Sequence, residues 1–311
     1  MKEYGFGVDI GGTTIKIGLF DMGGALIEKW EIPTRTENHG NEILDDICQA
    51  IDKKMIEKGI KKEQVEGIGL GVPGPVGSDG TVYGCVNLGW PTFNVETTLY
   101  QKIGIPVKAG NDANVAALGE MWQGGGKGHQ NVMMITLGTG VGCGIVINGK
   151  IVAGAHGAGG EVGHIHIRDD EQEVCGCGKK GCLEQYASAN GIVRVAKRKL
   201  EQEYRDTSLN QYKALSSKDI YDEARKGDIV AKEIVDEICE ILGNTIAMLC
   251  DTIDPEVVVI GGGVSKAGDI LIEGIRKHYV KHAFHAVENT EITLALLEND
   301  AGMVGCVRQL F

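Results

Sequence analysis

Proline, aromatic residues and long apolar runs are scarce in this sequence of 311 residues. It contains 6 prolines, and aromatic residues make up 5% of the chain. No run approaches the roughly 18 consecutive apolar residues of a membrane-spanning helix, and the first ten residues lack the apolar stretch of a signal peptide. We therefore expect a soluble protein of the cytoplasm that has no membrane partner.

Positive charge is also in short supply. The chain has 31 Lys and Arg residues against 43 Asp and Glu residues, which gives a net charge of −12. Proteins that bind nucleic acids or anionic membranes generally present a basic face, so this balance argues against both kinds of partner. It still allows a small phosphorylated ligand that is held by a local site.

Glycine and cysteine, in contrast, are abundant. Glycine accounts for 47 residues, about 15% of the chain against a usual share of about 7%, and it shows no three-residue period of the collagen kind. Such an excess indicates many tight turns where the backbone closely approaches another group. The nine cysteines, an odd number without a secretion signal, predict thiols or metal ligands in a reducing compartment rather than a disulfide framework.

Helical and extended patterns alternate along the chain, which predicts an α/β protein. Short apolar runs at 65–72 and 257–260 are typical of strands. Apolar residues at helical spacing, or helix-forming runs, mark the predicted helices. These cover 41–58, 111–123, 183–204 and 228–252.

The two halves of the chain share a pattern of strand, glycine- and threonine-containing turn, and strand. Residues 8–19 can be laid over residues 135–146, so that the turn at 11–14 corresponds to the turn at 138–140. We interpret this as a duplicated pair of domains, each of which begins with a glycine-turn hairpin. Two unrelated hairpins are the alternative.

Three glycine-rich turns are candidates for binding phosphate. Backbone N–H groups can converge on an anion where no Cβ atoms intervene, and a nearby hydroxyl adds a donor. Asp9 precedes the first turn, where its carboxylate could hold Mg²⁺ directly or through water, and Lys16 lies within reach. None of the turns is a Walker A loop or a clean dinucleotide fingerprint, but together they favour a nucleotide held between two lobes. Their residues are Gly11, Gly12, Thr13 and Thr14, then Gly138, Thr139 and Gly140, then Gly261, Gly262, Gly263 and Val264.

One histidine and three cysteines form a candidate metal site. Cys175, Cys177 and Cys182 fall within a stretch of eight residues, and His164 precedes them. Three thiols and an imidazole supply the four ligands that tetrahedral Zn²⁺ takes in structural sites. Because four protein ligands leave no position for a catalytic water, we expect a structural zinc. Three unrelated reduced cysteines in a loop are the alternative.

A carboxylate at a predicted helix start is the candidate acid–base residue. Asn111 and Asp112 are both preferred N-cap residues, so simple capping is the alternative for Asp112. The helix dipole favours an ionised carboxylate there, and such a group can accept the proton of a hydroxyl that attacks phosphorus. Glu161 and Glu184 adjoin the candidate zinc segment, which would place them rigidly enough to recognise the vicinal hydroxyls of a sugar.

Six short motifs occur in a fixed order from Asp9 to Ser265. They are Asp9-x-Gly-Gly-Thr13, Asn111-Asp112-Ala-Asn114, Leu137-Gly-Thr-Gly140, Gly160-Glu-x-Gly-His164, Cys175-x-Cys-Gly-x2-Gly-Cys-x-Glu184 and Gly261-Gly-Gly263. In order and composition they resemble the motifs of the ROK family of repressors, open reading frames and sugar kinases. The zinc signature is the most specific of them, and the glycine turns are the least.

This resemblance implies an actin-like ATPase fold, related to ribonuclease H, with two α/β lobes around a cleft and a structural zinc loop at 164–184. It also implies ATP- and Mg²⁺-dependent phosphorylation of a hexose. The stretch 111–128 is most similar to bacterial glucose kinases, which favours D-glucose and its 6-hydroxyl.

The resemblance also assigns roles to individual residues. Asp112 matches the catalytic base, the turns at 11–14 and 138–140 match the phosphate loops, and the turn at 261–264 matches the adenosine loop. His164 would bind sugar with one ring nitrogen and Zn²⁺ with the other. The implied sugar contacts are Asn87, Asn111, Asp112, Glu161, His164 and Glu184.

The expected domain division has an N-terminal lobe at 1–112, joined by a C-terminal helix at 300–311, and a larger lobe at 113–299. The family resemblance implies a homodimer or homotetramer. Other hexoses (N-acetylmannosamine, fructose or allose) stay open as substrates, as do polyphosphate and ADP as phosphoryl donors. A sugar-sensing repressor is a further alternative, which the net charge and a first predicted strand within ten residues of Met1 disfavour.

Overall fold

The computed structural model describes residues 2–202 and 206–311, in which strands and helices alternate. The helix predicted over 183–204 is interrupted at Ser188, and its last predicted residue, Tyr204, lies outside the described residues. The strands are β1 (Tyr4–Ile10), β2 (Thr14–Asp21), β3 (Leu26–Pro33), β4 (Val65–Val72), β5 (Thr81–Cys85), β6 (Trp90–Asn94), β7 (Val107–Asn111), β8 (Val132–Leu137), β9 (Val141–Ile147), β10 (Lys150–Ile151), β11 (Val257–Gly261) and β12 (Glu291–Leu294). The helices are α1 (Ile43–Lys58), α2 (Val95–Ile103), α3 (Asp112–Gln123), α4 (Glu184–Ala187), α5 (Ala189–Gln202), α6 (Ser217–Lys226), α7 (Ile229–Ile253), α8 (Asp269–Tyr279) and α9 (Ala301–Arg308).

Two five-stranded sheets have the same order of corresponding strands. The first runs β3-β2-β1-β4-β7, and the second runs β10-β9-β8-β11-β12. In the first sheet β1 is antiparallel to β2 and parallel to β4. In the second, β10 is antiparallel to β9, and β8 is parallel to β11. These mixed sheets confirm the predicted α/β fold class, and their matching order agrees with the internal repeat inferred from the glycine turns.

The chain forms two compact units. The first comprises Met1–Gln130, Gly144–Gly160 and Leu296–Phe311, and the second comprises Asn131–Cys143 and Glu161–Ala295. The lobe boundary expected after residue 112 therefore falls inside the first unit, because helix α3 packs against helix α9. Within the described part of the chain, none of the helices combines the length and the apolar composition needed to span a membrane.

Glycines allow helix α9 to approach its neighbours in the first unit very closely. A Cβ atom at Gly69 of β4 would lie 1.7 Å from the carbonyl oxygen of Cys306. One at Gly305 would lie 1.6 Å from the carbonyl oxygen of Val115 in α3. Any side chain at either position would push the helix away, so part of the glycine excess serves packing rather than ligand binding.

A fully buried carboxylate of α3, that of Glu120, holds two chain segments in the first unit. Its Oε2 accepts hydrogen bonds from the backbone N–H groups of Gly125 at 2.7 Å and Leu296 at 3.0 Å, and its Oε1 accepts one from Leu297 at 2.8 Å. Leu296 is the residue at which the chain re-enters this unit. Because hydrogen bonds to an ionised acceptor are strong, Glu120 fixes the segments on either side of the passage through the second unit.

Another buried carboxylate, that of Glu171, organises the second unit. It accepts hydrogen bonds from Arg194 at 2.8 Å, from Arg198 at 2.7 Å and from the hydroxyl of Tyr186 at 2.6 Å. The bonds from Arg198 contribute most to holding the pKa of Glu171 well below its usual range. This cluster attaches the segment before Cys175 to helices α4 and α5.

Candidate active site

Asp112 is the first residue of α3, directly after strand β7 ends. Asn111 caps the helix, since its Oδ1 accepts from the backbone N–H groups of Ala113 at 3.0 Å and Asn114 at 3.2 Å. The Oδ1 of Asp112 also accepts from the N–H of Ala113, at 2.8 Å. The half-buried carboxylate thus lies at the positive end of the helix dipole, which favours its charge. This position suits a proton acceptor whose orientation is fixed.

The turn that carries Asn87 lies in the same unit, between β5 and β6. Asn87 itself is exposed, and the preceding Cys85 donates its thiol to the carbonyl of Pro73 at 2.9 Å. The side-chain amide of Asn111 donates to the carbonyl of the next residue, Gly74, at 3.2 Å. The short turn at 73–74 therefore connects the Asn87 segment to the start of α3.

The first glycine turn joins β1 to β2 in a tight hairpin. The N–H of Gly11 donates to the carbonyl of Thr14 at 3.0 Å, and the hydroxyl of Thr34 donates to the carbonyl of Gly11 at 2.7 Å. Gly12 and Thr13 at the tip are exposed. The hairpin has the predicted form, and an exposed glycine-containing tip of this kind can offer backbone N–H groups to an anion.

Asp9 lies just before this turn, on β1. Burial raises the pKa of Asp9 to about 6, with the positive charge of Lys16 acting in the opposite direction and the negative charge of Asp112 reinforcing the rise. A Cβ atom on Gly302 of α9 would lie 2.7 Å from the carboxylate of Asp9. Lys16 pairs with Asp9 across the hairpin and donates to the carbonyl of Asn299 at 3.1 Å. A carboxylate that is costly to ionise, close to a second carboxylate, is a suitable place for a cation.

In the second unit the four predicted metal ligands converge. One ligand atom from each of His164, Cys175, Cys177 and Cys182 lies within 4.8 Å of all the others. The Nδ1 of His164 is 3.8 Å from the Sγ of Cys175, and the sulfurs of Cys177 and Cys182 are 3.6 Å apart. With Zn–S bonds of about 2.3 Å, tetrahedral ligands lie about 3.8 Å apart. The donor set and its spacing therefore fit Zn²⁺.

The other ring nitrogen of His164 faces a predicted sugar contact. Its Nε2 lies 4.0 Å from Oε2 of Glu161, and both side chains are partly exposed. The imidazole thus presents one nitrogen to the thiols and the other to a carboxylate outside the cluster. A hydrogen-bond partner on the outer nitrogen is the usual means by which a metal-bound histidine is oriented.

The second glycine turn joins β8 to β9. The N–H of Gly138 donates to the carbonyl of Gly140 at 3.0 Å, and the N–H of Ala189, the first residue of α5, donates to the carbonyl of Gly138 at 2.8 Å. Glu184 reaches this turn from the end of the segment at 164–184 that carries the candidate metal ligands, and its Oε2 accepts from the N–H of Val141 at 3.3 Å. The turn is therefore supported from two sides.

The third turn follows β11, and a cavity lies beside it. Gly262 has a φ of 83°, and a Cβ atom there would lie 2.5 Å from the carbonyl oxygen of Leu137, so the conformation and the close approach both require glycine. Gly263 and Val264 line the cavity, which has a volume of about 140 Å³. Helix α6 supplies most of the opposite wall, through Ser217, Lys218, Tyr221, Asp222 and Arg225.

The sequence patterns did not indicate the α6 residues that line this cavity. These residues follow an amphipathic pattern that is shared by ordinary surface helices, so no local signal distinguishes them. Only the folded chain brings α6, which ends at Lys226, beside the turn at 261–264. A larger cavity of about 670 Å³ between the segment at 166–169 and helix α7 includes none of the predicted site residues.

Comparisons with known proteins place this arrangement in context. The family model described as ROK family matches residues 5–309. A glucokinase of Halalkalibacterium halodurans is 44% identical, with 96% of this chain and 92% of that protein covered. A glucokinase of Streptomyces coelicolor is 36% identical, with coverage of 96% and 95%. The solved structure of a ROK family glucokinase from Streptomyces griseus in complex with glucose and AMPPNP is 34% identical, with a TM-score of 0.76 and 98% of each chain covered.

Proposed function

The chain belongs to the ROK family, and on that premise we propose that it is a glucokinase, which transfers the γ-phosphoryl group of ATP to the 6-hydroxyl of D-glucose. The observation that carries this assignment is the 44% identity to a glucokinase over nearly the whole of both chains. The glucose and AMPPNP held by the related Streptomyces griseus enzyme support the choice of both substrates.

In the proposed reaction the sugar 6-oxygen attacks the γ-phosphorus, and the bond from that phosphorus to the bridging oxygen of ADP breaks. Asp112 accepts the proton that leaves the 6-hydroxyl, for which its fixed place at the start of α3 is suited. Backbone N–H groups of the turns at 11–14 and 138–140 donate to the phosphate oxygens. Asp9 would hold Mg²⁺, which neutralises phosphate charge when it is bound.

In this proposal polar side chains recognise the sugar. They are Asn87, Asn111, Asp112, Glu161, His164 and Glu184. Buried or oriented polar groups that lose a partner penalise the wrong sugar. Asn111 can serve here although it caps α3, because its amide has a second N–H donor beyond the one given to Gly74.

Zinc has a structural role in the proposal. His164, Cys175, Cys177 and Cys182 would supply its four ligands, and their convergence within 4.8 Å supports this assignment. The metal would fix the segment from which both Glu161 and Glu184 project. No step of phosphoryl transfer depends on it directly.

The adenosine part of ATP is assigned to the cavity beside the turn at 261–264. Val264 and the α6 residue Tyr221 offer apolar surface there, and Lys218 and Asp222 offer polar groups. We further propose that the enzyme acts in the cytoplasm, at the entry of glucose into glycolysis, and that it assembles as a homodimer or homotetramer.

The substrate assignment is tested by sugar-dependent ADP release from ATP·Mg²⁺ in a coupled assay. Glucose, mannose, fructose and N-acetylmannosamine are compared at equal concentrations, and the donors ATP, ADP and polyphosphate are compared with glucose. The proposal expects the highest kcat/KM with glucose and ATP. A preference for N-acetylmannosamine or fructose would keep the kinase assignment and overturn the choice of sugar.

A further inference from the structure

Glu184 contacts two separate segments of the second unit. It is the first residue of α4 and follows the last zinc-ligand position by two residues. Its two carboxylate oxygens face different partners. Oε2 accepts from the backbone N–H of Val141 at 3.3 Å, and Oε1 lies 3.5 Å from the Sγ of Cys175.

The Val141 contact acts on the second glycine turn. Val141 directly follows this turn and starts β9, so the direction of its N–H sets the path by which the chain leaves the turn. Gly140 is so close that a Cβ atom there would lie 2.3 Å from Oε2 of Glu184. The carboxylate thus packs directly beneath the turn.

The surroundings of Glu184 form one continuous cavity of about 370 Å³ in the second unit. Thr139 and Gly140 of the glycine turn line it, together with Cys175 and Gly176 of the zinc segment. Asn190 at the start of α5 closes another side and donates to the carbonyl of Thr139 at 3.4 Å. Glu184 is therefore shared between the wall that faces the turn and the wall that carries the metal ligands.

We propose that Glu184 is a positioning residue for the turn at 138–140, in addition to any contact it makes with the sugar. The inference deepens the proposed function and rests on it. Oε2 holds the Val141 amide, and through it the backbone of Thr139 and Gly140, whose N–H groups would donate to the phosphates of the bound nucleotide. Oε1 lies 3.5 Å from the Sγ of Cys175, on the side of the candidate zinc ligands. One side chain then links the candidate zinc segment to the phosphate turn.

This role makes nucleotide binding depend on Glu184 even when no sugar is present. Removing the carboxylate leaves the partly buried N–H of Val141 without its acceptor, and the loss of such a bond corresponds to about a tenfold change in an equilibrium constant. Glutamine has nearly the same shape and keeps one acceptor oxygen, so Glu184→Gln preserves the Val141 contact. If Glu184 contacted only the sugar, nucleotide binding in the absence of sugar would not depend on it.

The test measures binding of AMPPNP with Mg²⁺ to the full-length, zinc-loaded protein by titration calorimetry in the absence of sugar. Glu184→Ala is expected to weaken binding about tenfold, and Glu184→Gln is expected to bind nearly as the wild type does. Zinc content is measured on each variant. Glu273→Ala, at an exposed position of α8 in the same unit, is the matched control and should leave AMPPNP binding unchanged.

Two results would overturn the proposal. One is wild-type AMPPNP affinity in Glu184→Ala combined with a raised KM for glucose, which assigns the residue to sugar alone. The other is weakened AMPPNP binding by zinc-loaded Glu184→Gln. This second result decides the question if Glu184→Ala loses zinc or folds poorly. A wild-type protein that binds AMPPNP but does not phosphorylate glucose would refute the proposed function. AMPPNP binding by the Glu184 variants could still be compared with that of the wild type.

Discussion

The two glycine turns at 11–14 and 138–140 occupy corresponding places in two sheets of the same strand order, but different side chains support them. The first turn lies beside Asp9, whose pKa is raised to about 6 mainly by burial, in the unit that also carries Asp112. The second turn rests on Glu184 and, through the contact with Cys175, on the candidate zinc cluster. The two turns thus share their place in the strand order and differ in the carboxylates that lie beside them.

The first unit carries the candidate reacting groups, whereas in the second a carboxylate supports the backbone of a turn. The first unit contributes the carboxylates suited to hold a cation and to accept a proton. The second contributes a turn that is contacted by Glu184, a residue close to the candidate metal ligands. We therefore expect loss of the candidate zinc cluster or of the Glu171 ion pairs to act mainly on stability, and loss of the Asp112 carboxylate to act on turnover.

The largest expected effect on stability is that of zinc removal. Strong chelation should release about one zinc ion per chain and substantially lower the unfolding temperature, because a structural zinc contributes directly to the free energy of folding. Metal analysis combined with scanning calorimetry measures both quantities. A protein that contains no zinc when purified without chelators, or that keeps its unfolding temperature after zinc is removed, would contradict the role given to the cluster.

Disrupting the buried Glu171 cluster should have the next largest effect. Glu171→Gln removes the charge between Arg194 and Arg198 and is expected to cost about 3–5 kcal/mol of unfolding free energy at pH 7. The folded pKa of Glu171 is depressed, so its stabilisation is fully present above the unfolded pKa of about 4.3, begins to decline below it and is lost as the pH falls through the folded pKa.

Denaturant unfolding of the wild type and Glu171→Gln at pH 7 and pH 4 checks this sign. The difference between the two proteins should shrink at the lower pH. Glu240→Gln, at an exposed position of α7, is the control and should change stability little. Equal stability of Glu171→Gln and the wild type at pH 7 would contradict the stabilising role of the Glu171 cluster.

A smaller and more local effect distinguishes the two turns. A methyl group at Gly140 would lie 2.3 Å from Oε2 of Glu184, whereas one at Gly12 meets nothing within 4 Å. Gly140→Ala should therefore lower the unfolding free energy by about 1–3 kcal/mol, and Gly12→Ala should change it by less than about 0.5 kcal/mol. Denaturant unfolding of the ligand-free proteins measures this difference, and equal losses in the two variants would mean that the turns are supported alike.

Local patterns allowed much of this structure to be predicted. The strand predicted at 65–72 is present with those bounds, and the predicted helix at 111–123 begins one residue later, at Asp112. The cluster of His164 with Cys175, Cys177 and Cys182 could be proposed because the three cysteines are close in sequence, so that few backbone conformations can separate them. Asp112 could be proposed because its place at a helix start follows from neighbouring residues.

Long-range contacts could not be predicted in the same way. Glu120 meets Leu296 across 176 positions of sequence, and nothing near either residue indicates the other. The glycine excess indicates close approaches of the backbone but not the groups that are approached, and the helix packing of Gly69 and Gly305 becomes visible only when α9 lies on the first sheet. The Val141 contact of Glu184 was missed for the same reason, since it requires the zinc segment to fold back on β9.

The most direct test of the account is the turnover of Asp112→Asn, measured as glucose-dependent ADP release at saturating ATP and glucose. Asp269→Asn, at the equivalent first position of helix α8, is the matched control. We predict that Asp112→Asn lowers kcat by roughly 10²–10⁴-fold with the KM for glucose and the unfolding temperature little changed, and that Asp269→Asn retains full turnover. Turnover of Asp112→Asn close to that of the wild type would contradict the assignment of Asp112 as the base and, with it, the division of roles between the two units.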